Sequence, residues 1–221
     1  TTACKWDTVI PFEPLWEQYE RIIKENGTIA LFGSEPFSTK LRMSNFNIYR
    51  YDWYWKKSKA GLYQHAKNRP MKSIETISIF SKAKWGHKSQ VKNRMRYNPQ
   101  GIKSIGKKVV TKNFNAGGIV GERPNQVGRV YEAFTGFPTD ILEFAKDCGL
   151  HPTQKPVPLL EYLIKTYTNE GDLVLDNCMG SGSTIIACIN TNRKYIGIEM
   201  DKHYYEIAKE RVENHLLGDG K

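Results

Sequence analysis

Apolar and polar residues alternate with two different periods along the 221-residue chain, and the changes of period mark its elements. Leu15, Trp16, Tyr19, Ile22 and Ile23 share one face of a helical pattern that has Pro14 near its start and Asn26-Gly27 as its stop. Thr28 to Phe32 then reads as a short buried strand, with Gly33-Ser34-Glu35-Pro36 as the loop at its carboxyl end. Open α/β sheets carry ligand loops at that end of their strands, so Glu35 could face a site, although loop glutamates are more often merely solvated. From Tyr49 to Trp55 aromatic residues alternate with mostly polar ones, which predicts a strand with Tyr49, Tyr51, Trp53 and Trp55 on one side. Ile74 to Phe80 is a second strand. The aromatic stripe reads as core, and Tyr63 in the connection is the better candidate for stacking on a base.

The same alternation returns near the carboxyl end. A helix is expected from about Pro158 to Tyr167, with Leu159, Leu160, Leu163, Ile164 and Tyr167 inward and Gly171 as its stop. Leu173 to Leu175 reads as a short buried strand ended by Asp176, after which a glycine loop opens into the helical run Thr184 to Ile189. Tyr195 to Ile198 is a further strand ending in Glu199, and Lys202 to Leu217 a last helix with Tyr204, Ile207, Ala208, Val212 and Leu216 apolar-side. Between the two halves, Ser81 to Gly149 has no sustained period and is expected to be an inserted recognition region outside the sheet. The chain divides on this reading into 1–81, 82–149 and 150–221.

Composition fits one α/β domain with a small inserted module. No apolar run approaches the ~18 residues of a membrane span and the start has no signal-peptide layout, so the cytoplasm is the expected location. Cys4, Cys148, Cys178 and Cys188 form neither a CxxC pair nor a Cys/His cluster, so no metal site is indicated and they are expected to be reduced thiols. Charge changes the picture more. The net charge is +10, and Lys82, Lys84, Lys88, Lys92, Arg94, Arg96, Lys103, Lys107, Lys108 and Lys112 follow one another with no Asp or Glu between them. Charge runs are usually solvated faces. Such complete exclusion of acids nevertheless suits a phosphate backbone, which makes nucleic acid the expected partner.

The glycine loop Asp176-Asn177-Cys178-Met179-Gly180-Ser181-Gly182-Ser183-Thr184 carries the candidate chemistry. Its glycines permit a tight turn and present N–H groups at a helix start, and Glu199 lies at the ~20-residue distance typical of a ribose-binding acid. A phosphate-binding P-loop needs a Lys before its Ser/Thr, and Gly182-Ser183-Thr184 has none. A dinucleotide fingerprint needs a third glycine, and Ile185 stands there. S-adenosylmethionine, a nucleoside with an amino-acid tail and no pyrophosphate, fits what is left. An ordinary β–α turn would also show these glycines.

His151-Pro152-Thr153-Gln154-Lys155-Pro156, then Asp176 to Thr184, then Gly197-Ile198-Glu199-Met200-Asp201 resembles, in order and spacing, the carboxyl-terminal half of the permuted DNA amino-methyltransferases. The resemblance is close over His151 to Val212 and looser over Thr1 to Ser81. It implies an α/β, Rossmann-like S-adenosylmethionine-dependent methyltransferase sheet with an inserted target-recognition region, methylating adenine N6 or cytosine N4 in DNA, as restriction–modification enzymes do. Thr153 and Lys155 would hold the methionine end, Asp176 and Gly180, Ser181, Gly182, Ser183 and Thr184 would line the cofactor, and Glu199 would bind the ribose. The Thr1 to Asp7 segment is more similar to the adenine enzymes. The family's Asp-Pro-Phe is here Asp176-Asn177-Cys178, and its catalytic Asp/Asn/Ser-Pro-Pro-Tyr/Phe tetrapeptide occurs nowhere in the 221 residues. In relatives that tetrapeptide comes directly before a segment like Thr1 to Asp7, so no catalytic residue is assigned and the sequence is expected to be a fragment, checkable by intact mass. The alternatives are an inactive nucleic-acid-binding module that keeps the fold, and a small-molecule methyltransferase, for which the basic insertion has no use. A homodimer is a further expectation.

Overall fold

The computed structural model describes residues 8–84, 86, 93–110, 128–147 and 149–218. It divides into two compact units, one formed by the segments up to Asn98 and from Asp140 onward, the other by Pro99–Thr139. In the larger unit α1 (Phe12–Ile22) leads to β1 (Ile29–Gly33), α2 (Phe37–Ser44), β2 (Tyr49–Gly61) and β3 (Lys72–Phe80). The smaller unit is a ribbon of β4 (Lys103–Val110) and β5 (Val130–Thr135). The chain then returns to the larger unit as β6 (Ile141–Phe144), α3 (Val157–Tyr167), β7 (Leu173–Asp176), α4 (Ser183–Asn190), β8 (Lys194–Gly197) and α5 (Lys202–Leu217).

Four strands form one sheet in the order β1-β3-β2-β6, and β7 and β8 form a parallel pair. β3 runs antiparallel to both β1 and β2, whereas β6 runs parallel to β2 with Tyr54 opposite Ile141. That last pairing corrects the expectation that Ser81 to Gly149 lies wholly outside the sheet. Ile141 to Phe144 is too short for its period to stand out, but Trp55 donates its indole N–H to the Phe144 carbonyl at 2.9 Å and anchors the strand. Residues 82–98 and 140–149 likewise go with the larger unit, so the separate piece is shorter than 82–149.

The aromatic stripe of β2 is split rather than one-sided. Trp53 and Trp55 pack with Ile77, Ile79, Leu142, Leu159, Leu163 and Tyr167, while Tyr49 packs in the other layer with Trp16, Leu41 and Phe80. A register shift between Tyr49 and Tyr51 inserts one extra residue and turns Tyr49 to the opposite face, as a bulge must where side chains alternate. Beneath the glycine loop, Leu160 and Ile164 of α3 meet Ala187 and Cys188 of α4, with Phe32 and Val174 against them. The five apolar residues expected inward on α3 are all buried. β7 is less buried than its composition suggests: Val174 faces α4, but Leu173 is 54% exposed and Leu175 is also open. On α5, Ala208 is the buried member of the expected face, and Leu216 points to solvent.

Candidate functional site

The glycine loop is a strand-to-helix turn whose shape is fixed by its own carboxylates. Asp176, the last residue of β7, accepts the Cys178 N–H at 3.0 Å and the Thr184 hydroxyl at 2.5 Å. One side chain thus ties the two ends of the loop together. Gly182 stands at the start of α4 with φ +76°, a left-handed conformation that costs an L residue strain. A Cβ at Gly182 would come 3.1 Å from the Ala208 methyl group, so the residue is constrained by space as well.

Glu199 follows β8 and lies across the loop. Its Oε2 accepts the Gly180 N–H at 2.9 Å and its Oε1 accepts the Asp201 N–H at 2.9 Å. Two backbone donors hold the carboxylate in one orientation, and each oxygen retains a lone pair for a further donor. A vicinal diol presents two O–H donors at about that separation. The structure therefore fits a ribose at Glu199 on the chemistry of the donor set.

The loop 151–156 faces the same turn. The His151 ring lies 3.4 Å from where a Gly180 Cβ would stand, and it packs edge-on against Tyr204 with ring centroids 4.2 Å apart. Burial lowers the His151 pKa, which favours the neutral ring. The Thr153 hydroxyl lies 3.1 Å from His151 Nδ1, and the buried Ser181 hydroxyl donates to Gln154 Oε1 at 3.0 Å. Ser183 and the Ser181 carbonyl both bind the Arg211 guanidinium, at 2.9 and 3.0 Å. Of the nine residues expected at the cofactor, Asp176, Ser181, Ser183 and Thr184 thus use hydrogen bonds to shape the cradle, and Glu199 offers the ligand-ready group. Lys155 turns its ammonium to Glu75 of β3, 3.2 Å away.

Three contributors went unread in the sequence. Arg211 lies on the last helix, and only the fold brings it to the loop. Gln154 sits within the recognised motif, yet its pairing with buried Ser181 needs the structure. Tyr19 of α1 donates to Asn177 Oδ1 at 2.9 Å, which gives a partner to the residue that departs from the family's Asp-Pro-Phe. Burial first, then the neighbouring Cys178, pushes the Tyr19 hydroxyl up to about 12, so it remains a donor throughout the neutral range.

The basic residues are placed differently. Lys82 pairs with Glu25 at 3.4 Å, and Arg96 forms an ion pair with Asp172. Lys84 and Arg94 are exposed and joined by a backbone bridge. Lys103, Lys107 and Lys108 stand exposed on the β4–β5 ribbon of the other unit. Lys88, Lys92, Lys112 and the Thr1 to Asp7 segment lie outside the described residues. Glu35 faces Arg42 at 2.5 Å and forms part of the wall of a cavity of about 450 Å³ with Arg42, Asp52, Tyr54 and Lys72. That cavity is at the carboxyl end of β1 and does not include the glycine loop. Tyr63, on a single 3₁₀ turn, is 80% exposed.

These motifs have close counterparts elsewhere. A family profile described as DNA methylase matches residues 5–210. The type II methyltransferase M2.DpnII of Streptococcus pneumoniae is 30% identical over 94% of this chain and 71% of its own length. M2.LlaDCHI of Lactococcus lactis subsp. cremoris, also a type II methyltransferase, is 31% identical over 94% of this chain and 70% of its own. Among solved structures, the M1.HpyAVI–SAM complex superposes with a TM-score of 0.59 at 24% identity, covering 92% of this chain and 85% of that one. The chain therefore belongs to the DNA methylase family. Its fold is the Rossmann-like α/β fold of these methyltransferases.

Proposed function

We propose that residues 151–156, the glycine loop and Glu199 bind S-adenosylmethionine, and that the protein transfers its methyl group to an exocyclic amine of a base in double-stranded DNA. Bound S-adenosylmethionine supplies a methyl group made electrophilic by a sulfonium. The observation that carries the reading is the Glu199 carboxylate, oriented by the Gly180 and Asp201 N–H groups beside a turn that excludes side chains at Gly182. Thr153 and Lys155 serve the amino-acid end, and Asp176 with Thr184 keeps the loop closed around the nucleoside.

An exocyclic amine conjugated to its ring is a weak nucleophile and lies inside the duplex, so the base must be flipped out before it can react. Fixing two reactants in attack geometry can supply ~7–11 kcal/mol of a barrier. A preformed cradle contributes to that by removing the cofactor's freedom before DNA arrives. Adenine N6 is the preferred acceptor on this reading, because Thr1 to Asp7 is more similar to the adenine enzymes. Lys103, Lys107 and Lys108 meet DNA phosphates from the ribbon, a width of structure that a major groove admits; Lys84 and Arg94 are separate phosphate-contact candidates on the larger unit. Lys82 and Arg96, already paired to acids, are weaker contributors. A homodimer belongs to the same reading; light scattering that gives a monomer mass at assay concentrations would remove it.

Titration calorimetry with S-adenosylmethionine, followed by transfer of labelled methyl to unmodified DNA and base analysis of the product, tests the proposal. Binding and transfer to adenine are expected. Absence of cofactor binding would sink the site, whereas binding without transfer would favour the inactive nucleic-acid-binding module.

A further inference from the structure

We infer that Glu75 is a positioning residue for the proposed cofactor site, setting Lys155, and through it the 151–156 loop, against the glycine loop; the inference rests on the reading of that site given above. Glu75 stands on β3 opposite Trp55 of β2, with its side chain 18% exposed. Lys57 reaches its Oε1 at 2.7 Å and Lys155 its Oε2 at 3.2 Å. The two ammonium groups also lie over aromatic faces, Lys57 5.2 Å from the Trp55 ring centroid and Lys155 5.1 Å from that of Phe32. Three charges from β2, β3 and the loop are thus gathered against two rings.

Burial alone would raise the Glu75 carboxyl, but Lys155 and then Lys57 outweigh it and hold the group below its usual range. A carboxylate in this position is stable only while it is paired. The converse matters more for the site. Without the negative charge, two ammonium groups would share the same half-buried space and repel, and the one on the loop is freer to leave than the one on the strand. Lys155 also donates to the Thr153 carbonyl at 3.3 Å, and neighbouring Gln154 accepts from Ser181, so a displaced Lys155 carries with it the loop that faces Gly180.

The contact between Glu75 and Lys155 is an ion pair at 3.2 Å to the buried Oε2. An ammonium has three N–H donors, so with Glu75 and the Thr153 carbonyl beside it one donor direction remains for a ligand carboxylate while Glu75 fixes where it stands. Glu75 itself never needs to touch the cofactor.

The test is calorimetric titration of the full chain with S-adenosylmethionine, comparing wild type, Glu75→Gln, Glu75→Asp, Lys155→Ala and the Glu75→Gln/Lys155→Ala double variant, each with a thermal melt. Glu75→Gln keeps the shape and removes the charge, and is expected to weaken binding roughly tenfold, the size of one charge-assisted contact. Glu75→Asp keeps the charge at shorter reach and should recover part of that loss. The double variant should bind no worse than Lys155→Ala, because Glu75 acts through Lys155. Wild-type affinity in Glu75→Gln, or an equal cost with and without Lys155, would overturn the inference and leave the cofactor site intact. Should Glu75→Gln fail to fold, Glu75→Asp decides: affinity equal to wild type there, with Lys155→Ala impaired, would also overturn it. Failure of wild type to bind at all overturns the site reading and the inference together.

Discussion

The glycine loop and the basic run are both contiguous in sequence, yet they come to opposite ends. From Asp176 to Thr184 the expected residues close on one another, with Asp176 bonded to Thr184 and Glu199 returning from the next strand to Gly180. The described cations of that run, Lys82 to Lys108, are instead dealt to two units, and Lys82 and Arg96 meet acids from distant parts of the chain, Glu25 and Asp172. A turn is specified by the backbone of a few adjacent residues, so its sequence is nearly its structure. A charge run specifies only what it excludes locally, and the fold decides which neighbours neutralise it.

The sharpest way to test the loop half of that contrast is Glu199→Gln. It keeps the size of the side chain and loses the charge that both N–H donors orient, and S-adenosylmethionine affinity should fall by roughly ten- to a hundredfold, on the scale of hydrogen bonds to charged groups. Calorimetry would read it, and an unchanged affinity would detach Glu199 from the ribose. The basic half predicts a graded effect. Replacing Lys103, Lys107 and Lys108 together with Ala should reduce the slope of log affinity for duplex DNA against log salt by about one per lysine, whereas Arg96→Ala should leave it nearly unchanged. Equal slopes for all variants would show that exposure and pairing do not sort these cations.

How much could be read beforehand follows the same physics. The elements bounded by glycine or proline, such as the helix after Pro156 and the turn before Ser183, were legible because their caps are local. Ile141 to Phe144 was not, since a four-residue strand has no period of its own and exists through its pairing with β2. Alternation of residue types puts Tyr49 on the face of Trp53 and Trp55, because a bulge at residue 50 leaves no mark on it. At the site, Glu199 and the glycines followed from spacing, but Arg211, Tyr19 and Glu75 reach it from other elements, and nothing adjacent to them in sequence announces the contact.

Stability offers a smaller version of the comparison. A Cβ at Gly197 would fall inside the Met179 sulfur and within 3.0 Å of Ile185, so Gly197→Ala should destabilise the larger unit by about 1–3 kcal/mol through overpacking. Arg96→Ala removes one of two cations on Asp172, with Lys24 remaining at 3.1 Å, and should cost about 0–1 kcal/mol because both partners are partly exposed. Denaturant unfolding followed through buried Trp16, Trp53 and Trp55 reports this unit. A larger loss in Arg96→Ala than in Gly197→Ala would reverse the ranking.

The smallest expected effect is a dependence on pH, in two windows. His151 is lowered from 6.5 by burial, so the folded state binds its proton less readily than the unfolded one. That contribution is fully present above pH 6.5 and is lost as pH falls through the depressed folded value. Glu75 is lowered from 4.5, with Lys155 and Lys57 outweighing burial, and Asp172 from 3.8, chiefly by the Asn169 N–H and then by Lys24 and Arg96. Their contributions are intact above those unfolded values and are lost as pH falls through the folded ones. Denaturant midpoints should therefore decline gently below pH 6.5 and more steeply below about pH 4.5, since three carboxylates act in the second window, Glu35 being lowered as well by the Thr39 hydroxyl and Arg42, and one ring in the first. Glu75→Gln should flatten only the acidic limb, because an amide has no proton to gain there, and His151→Gln only the upper one. An acidic limb that keeps its slope in Glu75→Gln would mean that the carboxylate is held no more tightly in the fold than in the open chain, and that Lys57 and Lys155 do not form the charge cluster on which the loop depends.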